Sequence, residues 1–284
     1  MTYRQLQRLV TGILRDNLVP SPETDALFLL QFVSGTDLTH FLLIADDEVP
    51  EEIRQRVMEL ANRRAQRIPL QHLTGTAPFM GRDFKVSPDV LIPRPDTEVL
   101  ADEAVRILKK ESPRGRVLDL CTGSGILAVT LALEMPEAEV WASDLSKEAL
   151  KIAGENARAF GADVHFTQGD LFTPLSGRFD MIVTNPPYIA TDEIALLEEE
   201  VKDHDPFMAL DGGPDGFLLI DRIIEEAPRY LKENGCLLME IGSGQGEGTL
   251  RRLDGHGFRK TRIIKDLAGL DRVAAAVRPL ADTE

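Results

Sequence analysis

Apolar residues in the first 70 positions recur three and four apart: Leu6, Leu9, Val10, Ile13 and Leu14, then Ile53, Val57, Leu60 and Ala61. That spacing is one face of an amphipathic helix. Pro50 suits a first helical position, with Glu51 and Glu52 beside the positive end of the helix dipole. The segment therefore predicts a small all-helical domain. From "IPLQHLTGTAPFMGRDFKVSPDVLIPRPDTE" onward, short extended pieces broken by Gly and Pro predict a hairpin linker. The expected division is a helical domain at 1–72, a linker at 73–95 and a larger domain at 96–284.

In the larger domain the period changes again. "RVLDL" is followed by a helical pattern from about Ser124 and "EVWASDL" by one from about Lys147; then come "DVHFTQ", "FDMIVT" and "CLLMEIG", each separated by a helix-like stretch. Alternation of this kind predicts βαβ units and an α/β fold with a doubly wound, mostly parallel sheet. "FRKTRIIKD" and "RVAAAVR" close the chain with a short connection, which predicts a final antiparallel hairpin.

Composition narrows the setting. With 284 residues, 43% hydrophobic and 28% charged, the chain has the make-up of a soluble globular protein. No signal peptide and no apolar run of membrane-spanning length is visible, so a cytoplasmic protein is expected. Cys121 and Cys236 lie in or beside apolar runs and read as reduced thiols, and the five histidines show no metal-ligand spacing, so no metal is expected. The formal net charge is −15. Residues 1–70 carry 8 Lys and Arg against 10 Asp and Glu, and the remainder 24 against 37. A protein that binds duplex nucleic acid needs a basic face, and this acidic balance argues against one.

"VLDLCTGSGILAVTLAL" has the form strand, glycine turn, helix. It brings backbone N–H groups and a helix N-terminus to the carboxyl edge of the sheet, where a ligand can lie over Gly123 and Gly125. Gly123, Gly125 and Ala128 fit the dinucleotide pattern, with Asp144 at the spacing of a ribose-binding acid. The region alone suits a nicotinamide dinucleotide and S-adenosylmethionine equally. Asp144 is placed to accept from ribose hydroxyls, although it also suits helix capping beside Ser146. Asp170 ends the third strand, where it either accepts from an adenine amino group, with Leu171 packed on the base, or makes a turn.

"FDMIVTNPPYIA" raises the sharper chemical point, because an apolar strand ends in Asn185, Pro186, Pro187 and Tyr188. Neither proline has an N–H to donate, and each fixes φ, so their carbonyls form rigid acceptors. Asn185 adds a side-chain carbonyl and Tyr188 a flat ring. The set suits a planar group bearing NH₂, with both hydrogens accepted and its face against the tyrosine. Such an arrangement favours a pyramidal nitrogen aimed at a methyl group on a sulfonium, with no strong base required and alignment supplying most of the acceleration.

"RIPLQHLTG", "VLIPRPDTE", "LDLCTGSG", "NPPYI", "ALDGGPDG" and "LMEIGSGQG" follow one another in the order found in the HemK-like peptide-chain release-factor glutamine methyltransferases, which the chain resembles over nearly its whole length. The resemblance implies a class I, Rossmann-like S-adenosylmethionine-dependent methyltransferase fold. It implies that Cys121, Thr122, Gly123, Ser124, Gly125, Asp144, Asp170, Leu171 and Asn185 contact S-adenosylmethionine, and that Asn185, Pro186, Pro187 and Tyr188 hold the substrate. The substrate implied is the glutamine of the Gly-Gly-Gln motif in class I release factors, methylated on its side-chain nitrogen (N5), with the helical domain recognising the release factor. A monomer is expected. Two departures stand out. Cys121 replaces the usual first glycine of the loop, which predicts a position with φ below zero, and His204-Asp205-Pro206 replaces the usual Tyr-Glu-Pro. Arg94, Thr97 and Glu98 fall in "PRPDTE" without an assigned task.

Three other activities suit parts of the pattern. An amino-methyltransferase acting on adenine or guanine would use the same "NPPY", but meets the acidic charge. A nicotinamide oxidoreductase would use the glycine loop and leave "NPPY" unexplained. A non-catalytic adenosine-binding module would bind cofactor without turnover.

Overall fold

The computed structural model describes residues 1–173 and 175–280. The elements begin with helices α1 (Tyr3–Asp16), α2 (Pro22–Ser34), α3 (Leu38–Leu43), α4 (Glu51–Ala65) and α5 (Leu70–Thr74), then strands β1 (Thr76–Phe79) and β2 (Arg82–Lys85). Next come α6 (Thr97–Glu111), β3 (Arg116–Leu120), α7 (Ile126–Glu134), β4 (Glu139–Asp144), α8 (Lys147–Phe160), β5 (Val164–Gln168) and β6 (Phe179–Thr184). The chain continues through α9 (Glu199–Lys202), α10 (Phe207–Leu210), α11 (Leu218–Tyr230), β7 (Leu231–Glu240), α12 (Gly246–Gly255), β8 (Arg259–Lys265) and β9 (Asp271–Val277).

Two compact units result. One joins Met1–Gly75 to Glu198–His204, and the other joins Thr76–Leu197 to the chain from Asp205 on. In the first unit α1 starts with a reciprocal cap: Gln5 N–H donates to the Thr2 hydroxyl, and Thr2 N–H donates to the Gln5 side chain. Pro50 stands one position before α4 rather than inside it. Tyr3, Leu6, Val10 and Leu14 bury one stripe of α1 against Leu29, Leu30, Phe41 and Leu60. Leu9, counted on that stripe from spacing, is 43% exposed. Glu198–His204 belongs here because Glu200 accepts from the Arg64 and Arg67 guanidiniums, and Arg64 also holds the buried Asp25. Those guanidiniums hold Glu200 down at about 2 against the opposing effect of burial.

The expected hairpin forms, but as part of the second unit. Met80 and Gly81 both have positive φ, as a tight two-residue turn requires. Phe79 and Phe84 then fill the same core as Leu100, Val117 and Leu127. The sheet runs β5-β4-β3-β6-β7-β9-β8, parallel from β5 to β7 and antiparallel where β9 pairs with β7 and β8. Buried residues of α6, α7 and α8 pack on one face, and Ile220, Ile223 and Ile224 of α11 with Leu253 of α12 pack on the other.

The chain leaves β3 toward β4 and β5, then returns to place β6 on the opposite side of β3. Such a reversal of strand order opens a crevice at the carboxyl ends. Leu120 and Thr184, the last residues of β3 and β6, lie in register, and the Thr184 hydroxyl donates to the Leu120 carbonyl at 2.9 Å. The loops that follow them, "CTGSG" and "NPPY", are therefore neighbours.

Candidate active site

A cavity of about 450 Å³ occupies this crevice. Cys121, Thr122, Gly123, Ser124, Asp144, Asp170, Leu171, Asn185 and Pro187 line it; Gly125, Pro186 and Tyr188 do not. Apolar walls come from Val90, Ile126, Leu145 and Leu218, and Phe207 and Met208 of α10 stand at its edge, both at least half exposed.

The glycine loop is held from below. Asp119, fully buried at the end of β3, accepts from the Thr122 hydroxyl at 2.6 Å and from Ala128 N–H at 3.1 Å. Burial pushes its carboxyl up to about 7, and its Oδ1 has no partner among the described residues. Gly123 has φ +54, and a Cβ there would meet nothing, so its backbone lies open. Gly125 has φ +82 and a Cβ there would press on Ala153 of α8, so the glycine permits close packing of that helix.

Cys121 corrects the sequence expectation outright, since its φ is +56 where a negative value was expected. The left-handed region costs an L-residue ~1–2 kcal/mol. Cys121 is half-buried, packed against the apolar cluster that includes Leu118, Leu120 and Leu171. Cys121→Ala keeps the strain and loses the sulfur, whereas Cys121→Gly loses the sulfur but relieves the strain. We expect the glycine variant to be the more stable of the two by ~1 kcal/mol. Denaturant unfolding of both checks this, and the reverse order would contradict the strained geometry.

Asp144 ends β4 with each carboxylate oxygen accepting one backbone N–H. Oδ2 accepts from Gly123 N–H at 2.8 Å and Oδ1 from Ser146 N–H at 2.9 Å, while burial raises its pKa. The Ser146 hydroxyl takes the cap of α8 itself, accepting from Ala149 N–H. Asp170 borders the cavity but is bound by Arg222 at 2.8 Å, and Leu171 is buried beside it.

Asn185 donates through Nδ2 to the Thr97 hydroxyl at 3.3 Å. Tyr188, expected to offer its ring to a guest, is not on the cavity lining; its hydroxyl donates to Glu240 at 3.1 Å, and burial raises its pKa. The backbone of Tyr188 is gripped from behind: Gln245 Nε2 donates to its carbonyl, and Gly212 and Gly216 come so close that a Cβ on either would collide with it. Thus "GGPDG" and "EIGSGQG" brace "NPPY".

The residues left unassigned by sequence also find places. Arg94 donates to Asp205 at 2.6 Å, and Asp205 also accepts from Ile92 N–H, which fixes the segment leading to Phe207. Glu98 accepts from Met80 N–H of the hairpin turn. Asn156 of α8 joins both ends of the hairpin residue Lys85 to the Ser124 carbonyl. Asp119, Asn156 and Glu240 were missed, and Asp205 was noted only within the departure His204-Asp205-Pro206; the visible signal was an acid inside or against an apolar strand for Asp119 and Glu240.

A sheet of this order with a glycine loop and a donor-poor asparagine loop at its switch point defines the methyltransferase class, and comparison agrees. A methyltransferase from Pyrococcus furiosus superposes with a TM-score of 0.55 at 17% identity, over 78% of this chain and 100% of its own, which places the fold. The family model "Methyltransferase small domain" matches residues 97–204, and "PrmC N-terminal domain" matches residues 5–75. The release factor glutamine methyltransferase of Neisseria gonorrhoeae is 43% identical over 89% of this chain and 92% of its own length. That of Deinococcus radiodurans is 40% identical over 98% and 99%. The chain belongs to the release factor glutamine methyltransferase family.

S-adenosylmethionine, the cofactor of this class, fits the residues present. The open backbone at Gly123 can be approached closely, the half-buried Asp144 lines the same cavity as an acceptor for hydroxyls, and the walls between are apolar. Asp144→Ala removes that acceptor, so affinity for S-adenosylmethionine should fall by ~1–3 kcal/mol, the scale of a charge-assisted hydrogen bond. Calorimetry with S-adenosylmethionine and NAD checks both the loss and the choice of cofactor; binding of NAD alone would contradict it.

Proposed function

We propose that this protein transfers a methyl group from S-adenosylmethionine to the side-chain amide nitrogen (N5) of the glutamine in the Gly-Gly-Gln motif of class I peptide-chain release factors, and so modulates translation termination. The observation that carries the reading is the alignment of Leu120 with Thr184, which puts Asn185 and Pro187 on the wall of the cavity that Gly123 and Asp144 also line.

Bound S-adenosylmethionine supplies an electrophilic methyl group on a sulfonium. The work of the chain is to bind and orient. An amide nitrogen is a weak nucleophile because its lone pair is delocalised into the carbonyl. Asn185 Oδ1 and a carbonyl of the Pro186-Pro187 pair accept its two hydrogens, which favours a pyramidal nitrogen with its lone pair directed across the cavity. Pro187 supplies no competing donor. Alignment of this kind is worth several powers of ten without a catalytic base, and the surplus proton leaves to water.

The same reading gives a monomer acting in the cytoplasm, with the release factor as protein partner and no direct nucleic-acid partner. Its support is the acidic balance of the larger part of the chain and, among the described residues, no helix long and apolar enough to cross a membrane. The helical unit is the proposed recognition element, since one glutamine side chain offers too little contact for selectivity. It exposes Phe28 and Phe32, one turn apart on α2, each more than 40% accessible. Exposed aromatics are common binding anchors. Phe28→Ser with Phe32→Ser should raise KM for intact release factor by ~10-fold at unchanged kcat, a loss of the size a contact anchor gives. An unchanged KM would remove α2 from the contact.

Labelled S-adenosylmethionine offered with a release factor, tRNA, rRNA and DNA tests the substrate class. Label in the release factor alone is expected; label in a nucleic acid would favour a base amine as acceptor.

A further inference from the structure

The methyl-transfer mechanism leaves one side of the cavity without a task. Phe207 and Met208, the first two residues of α10, line it with 57% and 50% of their surfaces exposed, and neither joins an apolar cluster of the described residues. An exposed apolar residue standing alone is ordinary. These two differ because the chain is tied down on both sides of them.

Before α10, the Asp205 side chain is fully buried and accepts from Arg94 at 2.6 Å and from Ile92 N–H at 3.4 Å. Pro206, which follows, has its φ fixed by the ring and also lines the cavity. At the other end Leu210 is buried and its carbonyl accepts from Ile189 N–H at 3.1 Å, while the Ile189 carbonyl accepts from Gly212 N–H at 2.8 Å. Ile189 and Asp211 thereby form an isolated parallel bridge, and the Asp211 carboxylate accepts from the Thr191 hydroxyl at 2.6 Å and from Gly213 N–H at 3.1 Å. Phe207 and Met208 are therefore presented by a strap anchored at both ends.

The anchors also show which end of the cavity the strap serves. Leu145, Asp170 and Leu171 line the cavity just beyond β4 and β5, and β3 separates those strands from β6. The strap is bonded instead to Ile189, the residue directly after "NPPY". Through Arg94 it is also bonded to the segment that leads to Thr97, the partner of Asn185. It stands on the side of the methyl acceptor. A glutamine side chain is short, so with its amide at Asn185 the backbone that carries it lies at the rim of the cavity, against the strap. Glycine, having no Cβ, lets a backbone lie close on another surface. A flat ring and a flexible thioether suit that contact.

We propose that Phe207 and Met208 are specificity-determining residues that read the glycines of the Gly-Gly-Gln motif. They pack on the backbone ahead of the glutamine and exclude a Cβ at the position just before it. Selection here is by shape, since a glycine offers no side-chain group to bond.

The proposal rests on methyl transfer to the release-factor glutamine, and its test separates the two. Phe207→Ala, Met208→Ala and the double variant are prepared in the full chain. Each is assayed on two intact release factors, one with its natural Gly-Gly-Gln and one carrying Gly-Ala-Gln. Calorimetry with S-adenosylhomocysteine reads the cofactor pocket, and melting temperature reads the fold. The wild type should prefer Gly-Gly-Gln by ~10- to 100-fold in kcat/KM, the range that one misplaced methyl group gives in a fitted pocket. The double variant should lose ~10-fold on Gly-Gly-Gln and narrow the preference to less than about threefold, because truncation removes the clash. Its affinity for S-adenosylhomocysteine should stay within about twofold of the wild type, and its melting temperature should hold, since both side chains are at least half exposed. A preference as wide in the double variant as in the wild type would overturn the proposal and place the discrimination in the release factor's own loop. A loss of S-adenosylhomocysteine affinity as large as the loss of kcat/KM would also overturn it, by giving the strap to the cofactor. Failure of the wild-type protein to methylate the natural release factor would instead overturn the function on which the proposal rests.

Discussion

Asn185→Ala is expected to lower turnover by ~10² to 10³ at saturating S-adenosylmethionine, the loss seen when a preorganised polar contact to a reacting group is removed. The size follows from position. Asn185 lines the cavity beside Pro187 and its Nδ2 donates to Thr97, and in the proposed function its Oδ1 accepts from the substrate amide. Alanine deletes that acceptor, whereas Asn185→Asp keeps an acceptor of the same reach and should retain more of the rate despite its added charge. Because Asn185 lines the same cavity as Gly123 and Asp144, cofactor affinity is measured in parallel. Near-normal turnover of the alanine variant would return "NPPY" to the status of a rigid turn.

The second large effect is on stability and its pH dependence. Burial lifts the Asp119 carboxyl from 3.8 to about 7, against the hydrogen bonds from Thr122 and Ala128 N–H and with a smaller addition from the charge of Asp144. A folded-state pKa above the unfolded value gives stability that is complete below about pH 4 and disappears as pH climbs toward 7. Across that window the lost stability is at most ~4 kcal/mol, at 1.36 kcal/mol for each pH unit. Asp119→Asn cannot ionise, yet keeps an oxygen for Thr122 and Ala128. Its melting temperature should therefore fall less than the wild type's between pH 4 and pH 8. Asp144 and Glu240, whose pKa values are also raised by burial, are present in both proteins, so the difference between the curves isolates Asp119. Parallel curves would contradict a buried, ionisable Asp119.

Much of this fold could be read from periodicity because each element carries its own signal. The run Leu118 to Leu120, the glycine turn and the helix beginning at Ile126 announce a βα crossover locally, and the closing hairpin of β8 and β9 is announced by its short connection. What could not be read was which partner each residue meets across the fold. Glu198–His204 looks like part of the larger domain until Glu200 is seen on Arg64, more than 130 positions away in sequence. The hairpin looks like a linker until Phe79 and Phe84 enter the core.

The site divides in the same way. The placement of Gly123, Asp144 and Asn185 on the cavity was legible because each lies at or just beyond the carboxyl end of a strand, where an α/β sheet presents its ligands. The sign of φ at Cys121 was not, since nothing local distinguishes a strained cysteine from a relaxed one. Tyr188 was legible as part of the motif but not in its task, because the acceptor of its hydroxyl, Glu240, lies on another strand. Thr97 and Glu240 themselves gain meaning only when β6, β7 and α6 are brought together.

The most direct test of the central claim is to incubate the protein with S-adenosylmethionine and a class I release factor, digest the product and locate the added mass by tandem mass spectrometry. A single methyl group on the side-chain nitrogen of the Gly-Gly-Gln glutamine, absent when Asn185→Ala replaces the wild type over the same interval, is the result predicted here. A release factor left unmodified by the wild-type protein, or a methyl group on any other residue, would contradict it.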